Sequence, residues 1–499
     1  MPHREAETLV AIDVGTSGAR AAAFNLAGER VLEVRRGYPT SSPQPGWAEQ
    51  DPRAWRSAAL AALAGLVREL GPRRPVAAIG LTGQCPSVCL VDGAGRPVST
   101  GLIYRDNRAT LEAAMLRERF GDAAIHARTG HLPAAFHIGP KLMWLRAHEP
   151  GTLARASRAL QPRDLVALAL TGEMATDGTH AAATLAFDLE RGAWASDLAE
   201  AMGLRPDLFP AVHPSSEPLG GLLPAAARRV GLRAGLPIIL GGADSQACAL
   251  GVGVVSAGPV SEMAGSSTCL NAAVRKPLSV LEVTHYPHVV PGCYTTETGI
   301  NTTGAALAWV ADLFYARRGG RAGGADYGRL DAEVAAVPAG SDGLLALPVL
   351  GDGERTDPDL RGAFTGLSLR HGRAAHARAM MEGVAFAIRD QLELIKAGGA
   401  EVTELRVSGG DTRLTSWSRI KADVIGVPVA TIPGDAAVGG VAMLAGLGAG
   451  IYASVDDAIR SAVHVGSALE PDPSAHELYT ERFAAWRELA SARAVRRGA

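Results

Sequence analysis

The sequence predicts an α/β protein built as two similar halves, and three observations carry that expectation. An apolar run at residues 9–12 leads into Asp13 and Gly15-Thr16-Ser17, and Arg20 starts a second apolar run, which together read as strand, turn and strand. The pattern returns at 259–275, where Gly265-Ser266-Ser267 stand 250 positions beyond Gly15-Thr16-Ser17 in a chain of 499, as an internal duplication would place them. Strand-like and helix-like stretches then alternate through both halves. The boundary is expected near 250–258, giving domains 1–252 and 253–499.

In the first half, Arg30–Tyr38 reads as a third strand, and Asp51-Pro52 opens a helix running to Leu70, with Asp51 as N-cap and Pro at the first helical position. Strands follow at Val76–Thr82 and Val88–Val91, then helical patterns at 106–119, 138–149, 161–170 and 194–203. Pro237–Gly241 is a short buried strand that ends at Gly241-Gly242-Ala243-Asp244 and enters a helix over Ser245–Val252. The second half adds a long helix over Ala374–Ala397, a strand at Thr403–Ser408, and helices at Arg413–Gly426 and Val438–Gly448. Glycine-rich stretches at 319–324 and 351–353 read as surface connections.

Composition narrows the chemistry. Hydrophobic residues at 47% suffice for packed cores, and a formal charge of −2 gives no reason to expect nucleic acid or an anionic membrane as partner. Met1–Glu7 carries no apolar leader, and the longest apolar runs, at 58–67 and 439–450, are too short to span a bilayer, so a soluble, cytoplasmic protein is expected. Five cysteines without a CxxC pair indicate neither a disulfide framework nor a zinc site. None of the four lysines precedes Ser or Thr, so no Walker-type phosphate loop is present, and the protein-kinase signatures are absent too.

Glycine at a strand turn lets backbone N–H groups approach anionic oxygens, Thr and Ser add donors, and a carboxylate such as Asp13 can hold magnesium directly or through water. Gly15-Thr16-Ser17 therefore suits a nucleotide's phosphates, although the same residues make ordinary turns. Asp244 sits where a strand meets a helix N-terminus; there a carboxylate can take the proton of a hydroxyl attacking a γ-phosphate, or simply cap the helix. Ser408-Gly409-Gly410-Asp411 is a second strand-to-helix turn with exposed backbone, on which a base could lie.

Several runs, in order and spacing, resemble the FGGY carbohydrate kinases of the actin-like, ribonuclease-H-like ATPase superfamily. They include Asp13–Ser17 with Arg20, Gly46–Pro52, Gly80–Gln84, Tyr104–Arg108, Pro140–Leu145, Thr171–Glu173, Gly241–Asp244, Gly353–Thr356, Arg361–Leu367, Met381–Gly383, and Ser408–Gly410 with Trp417 and Ala422-Asp423. The resemblance implies two actin-like α/β domains with a cleft between them, and ATP-dependent phosphorylation of a sugar. It implies Asp13 near Mg2+, Gly15, Thr16, Ser17, Gly265, Ser266 and Ser267 on ATP phosphates, and Gly304, Gly409 and Gly410 bordering the ribose and adenine. Asp244 would be the general base, and Gln84, Tyr104, Asp106 and Phe136 would line the sugar pocket, with His137 as a further candidate. A homodimer is compatible with it.

Overall spacing is most similar to the xylulokinase subfamily, which implies a pentulose such as D-xylulose. Two departures fall where that subfamily touches its ketose: Cys85-Pro86 follow Gln84 in place of Met-His, and Ser245 follows Asp244 in place of Asn. Ile138, Ala375 and His376 also depart from the family signatures. A kinase for another ketose or a polyol is the alternative, and an actin-like nucleotide switch or sugar sensor is the rival of another class. Trp47, Glu49 and Trp144 match family runs but read as packing residues; His126 and His131 show no metal-ligand spacing.

Overall fold

The computed structural model describes residues 7–317, 324–351, 353–354 and 359–495. Residues 319–323 of the first glycine-rich connection, Asp352 of the second, and Arg355-Thr356 of the family run lie outside them. The chain divides into two compact units. Unit 1 comprises Met1–Val255, Val274–Thr295 and Ala436–Val463; unit 2 comprises Ser256–Ala273, Thr296–Asp435 and His464–Ala499.

Unit 1 is organised on a mixed six-stranded sheet. Its centre is the expected hairpin of β1 (Thr8–Val14) and β2 (Gly18–Phe24), with β3 (Arg30–Gly37) antiparallel beyond β2. On the other side the strand Val76–Gly83 runs parallel to β1, and Pro237–Ile239 runs parallel to it in turn. Alternation along β1 divides the core between two faces. Val10, Ile12 and Val14 pack with Trp55, Leu63 and Leu66 of helix α1 (Pro52–Leu70), whose N-cap Asp51 accepts from the Arg53 amide at 2.9 Å as expected. Leu9 and Ala11 face the helix Ala436–Gly448 through Val438, Val441 and Leu444.

That helix lies against Asp244–Gly251 at backbone distance: a Cβ on Gly440 would fall 1.9 Å from the Ala247 carbonyl, and one on Gly251 would fall 1.9 Å from that of Ala436. A separate apolar cluster including Val88, Leu102, Ile138 and Leu142 supports the segments around Tyr104 and Phe136.

In unit 2 the strands Tyr294–Ile300, Thr268–Val274, Gly258–Ala264, Val402–Gly409 and Val429–Ile432 lie side by side in that order. Gly258–Ala264 and Thr268–Val274 form the second hairpin, and Val402–Gly409 runs parallel to its first strand, the same pairing scheme as in unit 1. Helices Arg373–Ala397 and Thr415–Ile425 cover this sheet's neighbourhood, with Gly410–Arg413 a short 3-10 turn before the second of them. No described helix is long and apolar enough to cross a membrane.

Candidate active site

At the end of β1 the turn Gly15-Thr16-Ser17 is held from the protein side by three side chains. Tyr38 donates its hydroxyl to the Gly15 carbonyl at 2.5 Å, Gln50 Nε2 donates to the Thr16 carbonyl at 2.7 Å, and Gln84 Nε2 reaches the Gly15 carbonyl at 3.3 Å. Gln50 in turn accepts from Gln84 Nε2 and from Trp55 Nε1 at 2.9 and 2.7 Å. Burial and the neighbouring Asp13 push the Tyr38 phenol up, so it remains a donor. Asp13 is nearly buried and its Oδ2 accepts from Arg20 Nε at 2.8 Å, the residue opposite it in the hairpin. Ser17 is exposed.

The turn before Asp244 requires both of its glycines. Gly241 has φ 69°, and a Cβ there would fall 1.9 Å from the Leu81 carbonyl; one on Gly242 would fall 2.3 Å from Val289 Cγ1. Ala243 occupies the N-cap position and Asp244 is the first helical residue, so Asp244 is not the helix cap. Its Oδ1 accepts from the Ser245 amide at 2.9 Å, and the residue is partly exposed.

The five sugar-pocket candidates divide. Gln84 is 2% exposed beside the Gly15–Ser17 turn, and its Oε1 is buried without a hydrogen-bond partner among the described residues. Tyr104 is 39% exposed and Phe136 half-buried. Asp106 corrects the expectation. It is fully buried, and its two oxygens accept from the Ala48 amide (2.6 Å) and from the amide, Nε and Nη2 of Arg108 (3.2, 2.9 and 2.8 Å), which leaves no acceptor position for a sugar hydroxyl. His137 is 1% exposed; its Nδ1 accepts from the Ala134 amide and its Nε2 lies 3.4 Å from His131 Nδ1. Trp47 and Trp144 meet edge to face at 5.3 Å, with the Arg108 guanidinium 3.6 Å above Trp47, a packing role as expected.

Sequence reasoning missed what joins these loops. The fully buried Lys141 donates to the Pro86 carbonyl at 3.3 Å and the Ile103 carbonyl at 2.7 Å, tying the segment after Gln84 to the segment before Tyr104. Burial lowers its pKa to about 7. A lysine inside a helical stretch with Ile138 before it and Leu142 and Leu145 after it was the available signal.

Unit 2 brings its three candidate nucleotide-binding segments, 265–267, Gly304 and 409–410, near the ends of paired strands. The Gly304 amide donates to the Gly265 carbonyl at 3.1 Å, and those of Thr303 and Ala305 to the Ser266 carbonyl at 3.0 and 3.1 Å. A Cβ on Gly304 would fall 2.3 Å from the Gly265 carbonyl. Gly409, opposite Ala264 in the parallel pairing, has φ 131° and its Cβ would fall 1.9 Å from the Ala264 carbonyl, whereas a Cβ on Gly410 would meet nothing within 4 Å. Beneath this turn the buried Lys421 binds Asp411 at 2.5 Å and Glu262 at 2.7 Å, and burial pushes the Glu262 carboxyl up against the pull of Lys421. The exposed Gly265–Ser267 turn and the open face of Gly410 fit phosphates and a flat base.

Asp13, at the end of β1, is the carboxylate beside the Gly15–Ser17 turn that could serve a metal, and no group of three metal-binding side chains occurs among the described residues. That donor set fits magnesium, which is held by one or two carboxylates together with substrate phosphates.

Two α/β units with the same hairpin-led sheet, each ending its first hairpin in a glycine- and hydroxyl-rich turn, define an enzyme of the actin-like ATPase fold. The chain belongs to the FGGY family of carbohydrate kinases, whose N-terminal domain matches residues 8–251 and whose C-terminal domain matches 261–449. It is a sugar kinase, and kinases of this family use ATP. A xylulose kinase structure from Rhodospirillum rubrum superposes with a TM-score of 0.88 at 33% identity, covering 97% of this chain and 98% of that one. The xylulose kinase of Escherichia coli (strain K12) is 31% identical over 84% of both chains. A glycerol kinase of Methylibium petroleiphilum is 32% identical over 90% of this chain and 92% of its own.

Proposed function

We propose that this enzyme transfers the γ-phosphate of ATP to a hydroxyl of a pentulose, D-xylulose first among them, in the cytoplasm, with Asp244 as the general base. The observation that carries the reading is Asp244 itself, a partly exposed carboxylate at the first position of a helix, presented by a turn that tolerates no side chain at two successive residues. Gln84, whose free carbonyl oxygen stands beside the phosphate turn, accepts a sugar hydroxyl, and Tyr104 and Phe136 bound the sugar's carbon face. Asp106 acts through Arg108, fixing the loop that carries Tyr104.

Asp244 takes the proton of the attacking hydroxyl as the oxygen bonds to the γ-phosphorus. Gly15-Thr16-Ser17 and Gly265-Ser266-Ser267 donate hydrogen bonds to phosphate oxygens, and Gly304, Gly409 and Gly410 border the nucleoside. Asp13 would hold Mg2+, which when bound neutralises phosphate charge.

A second reading, a kinase for another ketose or a polyol, is favoured by Cys85-Pro86 and Ser245, and by a glycerol kinase relative as similar as the xylulose kinases. Initial rates of ADP release on a panel of ketoses, aldoses and polyols separate the two. The first reading expects D-xylulose to have the highest kcat/KM; a polyol exceeding it about tenfold would replace that reading with the second.

A further inference from the structure

We propose that a buried clamp of Arg163, Asp177 and Thr179 sets the position of Asp244, and so governs the rate of transfer rather than the affinity for sugar. The proposal rests on the reading of Asp244 as general base.

Every residue from Leu240 to Ala243 is bonded to another segment of unit 1. Arg163 Nη1 donates to the Leu240 and Gly241 carbonyls at 2.6 and 3.1 Å. Thr82 Oγ1 donates to the Gly242 carbonyl at 2.7 Å, and the Ala243 amide donates to Thr179 Oγ1 at 2.8 Å. The Gly241 amide donates to the Ser215 carbonyl at 2.9 Å. The last side-chain bond of the series therefore lands on the residue immediately before Asp244.

Apart from Thr82, the residues that make these grips share one anchor, Asp177. Asp177 Oδ1 accepts from Arg163 Nη2 at 2.8 Å and lies 2.8 Å from His180 Nδ1; its Oδ2 accepts from Thr179 Oγ1 at 2.7 Å, the Thr179 amide at 3.0 Å and Ser215 Oγ at 2.8 Å. Burial alone would raise the Asp177 carboxyl, but Arg163, His180 and Thr179 outweigh it and hold it well below the ordinary carboxylate range. A carboxylate cannot donate, so the Thr179 hydroxyl proton points at Asp177 and its lone pair is left for the Ala243 amide. The direction of each bond is thus fixed, and Arg163, Asp177, Thr179 and His180 are all fully buried.

A buried ion pair by itself is weak evidence for anything beyond core specificity. What distinguishes this one is its target. Its remaining bonds go to Leu240, Gly241 and Ala243 of one turn, with a Cβ on Gly242 falling 3.3 Å from Thr179 Oγ1 and 3.6 Å from Asp177 Oδ2. Displacement of a reacting group by about 1 Å can cost about a hundredfold in rate, so a clamp on this turn acts on kcat.

Thr179→Val removes the acceptor for the Ala243 amide while keeping a β-branched side chain, and Thr179→Ser keeps the hydroxyl. The expected result is a kcat about 10- to 100-fold lower for Thr179→Val with both KM values within about twofold, and near-complete recovery in Thr179→Ser. A Thr179→Val kcat within about threefold of wild type, a loss carried equally by sugar KM, or a Thr179→Ser no better than Val would overturn the proposal. If Thr179→Val does not fold, Ser215→Ala, which removes one donor to Asp177, decides by the same kcat-against-KM split. Asp244→Asn in the same assay separates the two readings: normal turnover there removes the base and the clamp's purpose with it, whereas a large loss there beside an unaffected Thr179→Val removes the clamp alone.

Discussion

Replacing Lys141 with Met should make the enzyme more stable near pH 6.5 and a worse binder of its sugar. The ammonium lies in a site with no exposed surface, where burial has lowered its pKa from the ordinary 10.5 to about 7. At about 1.4 kcal/mol per unit, keeping this amine charged costs the fold about 4–5 kcal/mol below pH 7. Met removes that cost but leaves the Pro86 and Ile103 carbonyls without their donor, at about 1–2 kcal/mol each. The net gain is about 0–3 kcal/mol at pH 6.5.

The sign then changes with pH. Between the folded value near 7 and the unfolded 10.5, the unfolded chain binds more protons, so wild-type stability rises with pH by about 1.4 kcal/mol per unit relative to the variant. By pH 9 the variant's advantage is gone. Urea unfolding followed by tryptophan fluorescence at both pH values, with sugar KM in parallel, is the assay; KM should rise about tenfold because the two loops lose their tie. A variant less stable than wild type at pH 6.5, with a difference that does not move with pH, would refute the argument that the amine is dry.

The paired glycines of unit 2 should respond in opposite ways. Gly409→Ala meets the Ala264 carbonyl and a positive φ, and should lose more than about 3 kcal/mol or fail to fold; Gly410→Ala has open space, should keep its melting temperature, and should raise ATP KM if Gly410 borders the nucleoside. Asp106→Asn turns an amide toward Arg108 or Ala48 and should cost about 3 kcal/mol, read as a lowered melting temperature, with Arg108 retaining Glu49. Removal of divalent cations with a chelator should abolish phosphate transfer, and magnesium should restore it; transfer that persists would remove Asp13 from its proposed role.

Both hairpins, the Asp51 cap and the glycine turn before Asp244 were readable in the sequence, because each depends on residues within a few positions of one another. Partnerships across long separations were not. Asp106 looks like a polar residue offered to a ligand until Arg108 folds back on it and the Ala48 amide, 58 positions away, takes a fourth bond. Arg163 and Asp177 belong to a helix start and a short turn in the sequence, and only the return of the chain at Leu240–Ala243 gives them a common target. The helix Ala436–Gly448 is apolar on all sides, so its pattern does not say which sheet it covers; Gly440, allowing backbone approach to the helix that begins at Asp244, is the local trace of the answer. The Asp244 position shows the same limit at small scale, where a one-residue difference, with Ala243 as N-cap, separates a helix cap from a first helical residue.

The central claim is that Asp244 is the base of a sugar kinase. It is tested most directly by measuring ADP release with D-xylulose for wild type and Asp244→Asn, alongside ATP binding by titration calorimetry. The variant should bind ATP within about threefold of wild type while turnover falls by about 10²- to 10⁴-fold. Turnover equal to wild type with intact ATP binding would contradict it.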